Sequence, residues 1–174
     1  MADESKVLGI LREQFPEDVL ETRSALGDET VLIRGTRMHE VMEFLKGDSQ
    51  LRFEMLLDIT AVDYLGKKDA RFEVVYHLLS LKYGYRLRVI APLTGDEPRI
   101  PSISSIFRSA NWAEREVAEF FGIYFDGHPD LRKLLLYDEF HGYPLRKDYP
   151  LKKRQPLVQY RSGAALEIHG RDCQ

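Results

Sequence analysis

One stretch near the middle of the chain, RFEVVYHLLSLKYGYRLRVIAPL, constrains the fold more than any other. Its first half places large apolar residues at every second position, the period of a half-buried strand: Phe72, Val74, Tyr76 and Leu78. Beyond Tyr83-Gly84, a second alternation sets apolar residues against Arg86 and Arg88. A short glycine-containing connection between two such runs predicts a β-hairpin. The chain is therefore expected to fold around a sheet with an antiparallel pair.

Further segments predict strands and helices around this hairpin. The run TVLIRG, closing at Gly35, and the run RFEMLLDITAVDYLG, beginning at Arg52, both predict strands. Apolar residues at helical spacing predict helices in SKVLGILREQF, in TRMHEVMEFLKGD and in ANWAEREVAEFFG, the last ending at Gly122. For the middle helix, Thr36 is the expected N-cap and Gly47 the residue just past the end. The expected class is α+β: a mostly antiparallel sheet packed by helices on one face, with an extended C-terminal tail.

Composition removes several classes of function. The formal net charge of −3 over 174 residues gives no overall case for nucleic-acid binding. The single cysteine, Cys173, excludes a disulfide framework and any metal or iron–sulfur site built on several cysteines. The acidic N-terminus lacks the basic and apolar regions of a signal peptide, and no apolar run is long enough to span a membrane.

The C-terminal part of the chain differs in character from the rest. Four prolines, at positions 129, 144, 150 and 156, interrupt any long helix. The segment from His128 to Arg154 contains seven Lys and Arg residues and four acidic residues, which gives it a net charge of +3. The rest of the chain carries −6. We therefore expect an α+β scaffold domain over residues 1–125. A bend and an extended basic tail over residues 126–174 are expected to dock on another protein.

One carboxylate does not fit the polar side of the last helix. At 100° per residue, Glu116 is expected to project between Trp112 and Phe120, inside an apolar arc. A carboxylate there either reaches the rim and pairs with a nearby arginine or forms a buried ion pair. Four arginines are candidate partners: Arg86, Arg88, Arg132 and Arg146.

The stretch DGHPDLRKLL, which begins at Asp126, invites three interpretations. His128 and Asp130 are the residue types of an acid–base pair, but no companion nucleophile is evident. A metal site would add His141, and no second cluster of ligands supports it. The third interpretation needs no chemistry: Asp130 caps a short helical turn, whose residues Leu131, Leu134 and Leu135 pack inward.

A longer match is more specific. The segment EREVAEFFGIYFDGHPDLRKLLL, Glu114 to Leu136, resembles the signature of the 30 kDa subunit family, the C subunit of respiratory NADH:quinone oxidoreductase (complex I). The segment YPLRKDYPL, from Tyr143, resembles the second element of that family. A small departure is Glu119, where many members carry aspartate. The resemblance implies that the following residues form the signature and the partner interface: Glu114, Arg115, Glu116, Glu119, Gly122, Gly127, His128, Pro129, Asp130, Arg132, Arg146, Lys147 and Asp148.

The family resemblance implies a role within an assembly. The chain itself is expected to have no catalytic residues and to bind no cofactor and no metal, while FMN, iron–sulfur clusters and quinone belong to the complex. The implied partners are the quinone-site subunit, which the family designates D, and the B and I subunits, with the complex on the cytoplasmic side of the cell membrane. The implied reaction is electron transfer from NADH to quinone, coupled to proton translocation. Two alternatives remain open: the equivalent subunit of a membrane-bound hydrogenase or formate hydrogenlyase-type complex, and a free-standing enzyme that uses His128 and Asp130.

Overall fold

A computed structural model describes residues 5–25, 27–95 and 97–155. Its helices are α1 (Lys6–Gln14), α2 (Met38–Gly47) and α3 (Ala110–Phe121), with a 3-10 turn over Gly35–Arg37. Its strands are β1 (Val19–Ala25), β2 (Asp28–Ile33), β3 (Met55–Asp63), β4 (Phe72–Leu79), β5 (Arg86–Leu93), β6 (Arg99–Pro101) and β7 (Tyr124–Asp126).

Five strands form one sheet in the order β1-β2-β5-β4-β3, and β6 pairs with β7 separately. All neighbours in the large sheet are antiparallel except β2 and β5, which run parallel, as do β6 and β7. The expected α+β class with a mainly antiparallel sheet is confirmed. Three strands were not predicted, because β1 is a mostly exposed edge strand without apolar alternation and β6 and β7 have three residues each.

The predicted hairpin is present and supplies the centre of the core. β4 and β5 pair from Phe72 opposite Leu93 to Leu79 opposite Arg86. Gly84 takes a positive φ of 70° in the connecting turn, a conformation that glycine adopts without a Cβ clash. The inward row of β4, including Tyr76, is fully buried against the helices.

The three helices bury their apolar stripes in the same core. The members of that core from the helices are Val7, Leu8, Leu11, Met38, Val41, Met42, Leu45, Ala110, Val117 and Phe121. Fully burying one such large aliphatic or aromatic side chain contributes about 1.5–3 kcal/mol. Burial of these helix side chains against the sheet therefore contributes substantially to the stability of the domain.

The ends of α2 differ from the prediction. Thr36 lies inside the 3-10 turn and does not cap the helix, which begins two residues later. Gly47 is the last helical residue, and the chain leaves the helix at Asp48, whose backbone is extended. The Asp48 carboxylate accepts from the backbone nitrogens of Gln50 and Leu51, so a side chain fixes the turn that follows the helix, where a left-handed glycine was expected.

None of the helices in the described ranges has both the length and the apolar character needed to cross a membrane.

Candidate functional site

Helix α3 carries two buried carboxylates, and neither is the one predicted. Glu114 is fully buried and Glu119 nearly so, whereas Glu116 is exposed. The apolar arc is centred on Ala110, Val117 and Phe121. Glu114 lies within this arc, because it is four residues after Ala110 and three before Val117. The prediction for Glu116 was wrong because it centred the arc on the Phe120 side of the helix. The i, i+4, i+7 spacing from Ala110 was the signal that identifies Glu114.

Glu114 is enclosed without a cationic partner in the described part of the chain. Its carboxylate accepts from Ser102 Oγ at 2.6 Å and from the backbone nitrogen of Ile103 at 2.7 Å. Burial raises its pKa to about 7, against the opposing effect of these two hydrogen bonds. Tyr76 is buried nearby, and its hydroxyl has no hydrogen-bond partner among the described residues. Burial, and then the charge of Glu114, raise the pKa of Tyr76 well above its usual value.

His128 is held inside the protein by both ring nitrogens. Its Nδ1 accepts from the backbone nitrogen of Asp130 at 3.0 Å, so Nδ1 carries no proton. Its Nε2 therefore carries the ring proton and donates it to the carbonyl oxygen of Asn111 at 3.0 Å. The ring is neutral in this arrangement, and its 3.9 Å approach to the carboxylate of Glu114 is not an ion pair.

The acid–base and metal interpretations of this stretch are not supported. The Asp130 carboxylate points to Arg132, 2.7 Å away, and not to His128. The Arg132 guanidinium holds the pKa of Asp130 well below its usual range. Within residues 5–25, 27–95 and 97–155, no group of three His, Cys, Asp or Glu side chains is placed to hold a metal ion.

The helical turn predicted after Asp130 does not form. Residues 131–133 are irregular, and Asp130 closes a local turn by accepting from the backbone nitrogen of Arg132 at 3.0 Å. The backbone groups that a helix would have satisfied are instead satisfied by α3. The prediction failed because tertiary hydrogen bonds replaced local ones.

Two side chains on the outer side of α3 bind the backbone of this segment. The Glu119 carboxylate accepts from three successive backbone nitrogens, those of Leu134 at 2.7 Å, Leu135 at 2.9 Å and Leu136 at 3.3 Å. Arg115 donates to the carbonyl oxygens of residues 132 and 133, at 2.9 and 3.1 Å. The helix therefore has the sheet on one side and residues 132–136 on the other.

The C-terminal end of α3 is closed by a third contact with the same segment. Arg146 donates to the carbonyl oxygens of Phe121 at 2.5 Å and Gly122 at 3.2 Å, and its guanidinium lies 4.4 Å from the ring centre of Tyr143. Gly122 has a φ of 68°, and a Cβ there would come within 2.6 Å of both Arg146 and Tyr143. Glycine is required at this position by conformation and by space.

A fourth contact joins the segment to the sheet. Asp63, at the end of β3, is fully buried, pairs with Arg71 at 3.0 Å and accepts from the backbone nitrogen of Lys147 at 2.8 Å. Arg71 also pairs with Asp148 at 2.9 Å. Burial would raise the pKa of Asp63, but hydrogen bonds from Arg71 and the backbone nitrogens of Lys147 and Leu65 lower it below its usual value.

The predicted interface residues thus divide into three groups. Glu114, Arg115, Glu119, Gly122, His128, Arg146 and Asp148 fasten the segment to the same chain. Glu116, Pro129, Arg132 and Lys147 have exposed side chains, and Gly127, also exposed, makes the bend with a φ of 82°. Asp130 is bound locally to Arg132.

A cleft of about 540 Å³ lies between the end of α3, the β6–β7 pair and the segment. Two half-exposed tyrosines, Tyr124 and Tyr143, line it. Its cations already have partners: Arg99 pairs with Asp126 at 2.6 Å, and Lys133 donates to backbone carbonyls at 2.8 Å. The cleft therefore presents aromatic rings and does not present a spare cation for a phosphate or carboxylate group.

Comparisons with known proteins agree with one another. The family model described as respiratory-chain NADH dehydrogenase, 30 Kd subunit, matches residues 31–155. The NADH-quinone oxidoreductase C subunit of Geotalea uraniireducens is 43% identical over 152 residues, covering 87% of this chain and 91% of that protein. The protein of the same name from Parvibaculum lavamentivorans is 46% identical over 145 residues, covering 83% of this chain and 70% of that protein.

Two solved structures share the fold. One is a trypsin-resistant fragment (1–134) of Nqo5, with 34% identity and a TM-score of 0.62, covering 73% of this chain and 100% of that chain. The other belongs to the membrane-bound sulfane sulfur reductase, an archaeal respiratory membrane complex, with 26% identity and a TM-score of 0.72, covering 84% of this chain and 85% of that chain.

Proposed function

The chain belongs to the 30 kDa subunit family of respiratory-chain NADH dehydrogenase, and we propose that within complex I it serves as a scaffold without catalytic residues of its own. The NADH:quinone oxidoreductase reaction is an activity of the complex. The single observation that supports the scaffold role is that the signature side chains bind backbone groups of the same chain. Glu119, Arg115 and Arg146 are occupied in this way and offer no reactive group to a substrate. The hydrogenase-type alternative is not favoured, because the matched relatives are complex I subunits.

We further propose that this chain binds no cofactor, and that the FMN, iron–sulfur clusters and quinone of the complex are held by its other subunits. Cys173 is the single cysteine of the chain, which supports this for the clusters, since each needs several thiolate ligands. It lies outside the described residues. Coupling to proton translocation and a position on the cytoplasmic side of the membrane belong to the same proposal, which family membership supports.

The division into residues 1–125 and 126–174 is retained as part of the proposal, with one change. Residues 132–136 lie against α3 and Lys147 is bonded to Asp63 at the end of β3, so the segment is not a free tail up to residue 147. The match covers the whole trypsin-resistant fragment of Nqo5 and 73% of this chain. It supports a protease-stable core that is shorter than the whole chain. The remaining tail residues, 156–174, lie outside the described ranges.

The docking surface that we propose is the exposed basic end of the segment. Four side chains at Lys147, Lys152, Lys153 and Arg154 are exposed, and none of them forms an ion pair with an acid in the described part of the chain. Because charges across protein interfaces are arranged to be complementary, this surface fits an acidic face of a neighbouring subunit. The quinone-site subunit is the proposed main partner, with the B and I subunits adjacent.

The test is charge reversal in the full chain within the assembled complex. Lys152→Glu combined with Arg154→Glu is expected to reduce recovery of the quinone-site subunit with this chain. The difference from the unmodified chain is expected to shrink as salt is raised, because salt screens exposed charges. The matched control reverses Lys67 and Lys82, which are exposed elsewhere on the surface. Undiminished recovery of the quinone-site subunit with the first variant, or equal loss with the control, would overturn the docking proposal.

A further inference from the structure

Glu114 lies directly beneath the bend that carries the chain away from β7. Three other elements surround it: the loop after β6 through Ser102 and Ile103, strand β4 through Tyr76, and the bend through His128. None of these neighbours is positively charged, because His128 is neutral in the observed arrangement. Among the residues that the structure describes, the ionised form of Glu114 thus has two hydrogen bonds and no counter-ion.

The protonated form of Glu114 is better satisfied than the ionised form. Its hydroxyl has an acceptor in Ser102 Oγ at 2.6 Å, and the Ser102 hydroxyl can in turn donate to Ser104 Oγ at 2.8 Å. The ionised carboxylate needs further donors. The two polar groups near it are Tyr76, whose hydroxyl is unpaired in the described part of the chain, and His128, whose Nε2 is 3.9 Å away and already donates to Asn111.

The hydrogen bonds of His128 are also what hold the bend. Its Nε2 joins the bend to the carbonyl oxygen of Asn111 on α3, and its Nδ1 receives the backbone N–H of Asp130. A ring that turns toward the carboxylate of Glu114 loses the first bond. A ring that takes over the proton lost by Glu114 loses the other bond as well, since a protonated Nδ1 cannot accept.

We propose that Glu114 and His128 form a proton-sensitive latch: the bend from Gly127 to Asp130 is held against α3 while Glu114 is protonated and loosens when Glu114 ionises. The charged groups around the bend do not compensate for that ionisation. Asp130 and Arg132 pair with each other, and Arg115 is bonded to carbonyl oxygens.

The latch operates near neutral pH. Burial raises the pKa of Glu114 to about 7, so each pH unit above that point favours the ionised form by about tenfold. The segment beyond the bend includes the docking surface, and a link between proton loss and docking therefore rests on the proposed function. The latch itself does not depend on that function.

The reporter for the test is already in the chain. Trp112 is its single tryptophan, is 67% exposed, and follows Asn111, the residue that accepts from His128. Fluorescence of the full chain is expected to show one transition with a midpoint near pH 7. Glu114→Gln is expected to abolish it. Glu116→Gln, the exposed neighbour on the same helix, is expected to leave it unchanged.

Nitrogen NMR of His128 in the unmodified chain gives a second readout that needs no variant. The Nε2 signal of a ring bonded to Asn111 is expected while Glu114 is protonated, and a changed Nε2 signal is expected once Glu114 ionises. A transition that survives Glu114→Gln would overturn the latch, and so would a His128 signal that stays constant across this range. Failure of the quinone-site subunit to bind the basic surface would contradict the proposed function and leave these measurements unaffected.

Discussion

The carboxylate of Glu119 lies 2.7 Å from the backbone nitrogen of Leu134 and also accepts from the next two backbone nitrogens. Proteins bind anions at helix N-termini and in backbone nests by directing successive backbone N–H groups at the negative charge. Here the anion belongs to a helix and the N–H groups belong to an irregular segment. The contact makes α3 a middle layer between the sheet and residues 132–136.

Glu119→Gln is expected to lower the free energy of unfolding by about 2–3 kcal/mol, because it replaces charge-assisted hydrogen bonds in a buried site by weaker neutral ones. Urea denaturation measures the loss, and trypsin cleavage after Arg132 and Lys133 is expected to accelerate. Glu116→Gln on the same helix is the control, with an expected change within about 0.5 kcal/mol because the side chain is exposed. Equal stability of the two variants would contradict the anchoring role.

Gly122→Ala is expected to destabilise the protein by more than Gly127→Ala. Both glycines have positive φ, 68° and 82°, so both substitutions carry the conformational cost of about 1–2 kcal/mol. A Cβ at position 127 meets nothing within 4 Å, whereas one at position 122 meets Tyr143 and Arg146. The difference in thermal unfolding between the variants isolates this steric clash, for which we expect an additional 1–3 kcal/mol or so. Indistinguishable melting temperatures would show that Tyr143 and Arg146 do not close on the helix end.

Stability is expected to depend on pH through Glu114. Its pKa is raised in the folded protein from 4.5 to about 7, so the folded state binds the proton more tightly than the unfolded state. The contribution is fully present below about pH 4.5 and is lost as pH rises to about 7, an upper limit of about 3 kcal/mol. Glu114→Gln removes this dependence, so the stability of the variant relative to the original chain should increase from pH 5 to pH 7. A constant difference between the two denaturation series would rule out the raised pKa.

Arg71→Met is expected to cost about 2–4 kcal/mol, because it leaves the fully buried carboxylate of Asp63 without its cation. Asp148→Asn removes the other, half-exposed partner of Arg71 and is expected to cost less than about 1 kcal/mol. Chemical denaturation at pH 7 distinguishes the two. A larger loss for Asp148→Asn than for Arg71→Met would show that the pair with Asp148, and not the burial of Asp63, dominates this contact.

Much of the fold was predictable from local pattern. The hairpin of β4 and β5, the apolar stripes of the helices and the glycine at the end of α3 each follow from periodicity or from a backbone requirement. The edge strand β1 escaped prediction because most of its side chains are exposed and polar. The exposed position of Glu116 was not predicted, because the centre of an apolar arc on a helix can be located only approximately from the pattern of apolar residues.

The amino-acid sequence by itself determined the α+β class, the central hairpin and, through its signature, the family. Only the tertiary structure decided what the signature residues do. Glu114 and Glu119 are both carboxylates on one helix. Glu114 accepts from a hydroxyl and a backbone nitrogen beside the sheet. Glu119 accepts from three backbone nitrogens of a segment 15 to 17 residues further along the chain. Periodicity describes which side of a helix a residue occupies. The partner on that side comes from elsewhere in the chain, and its hydrogen-bonding groups determine the charge state and the role of the side chain.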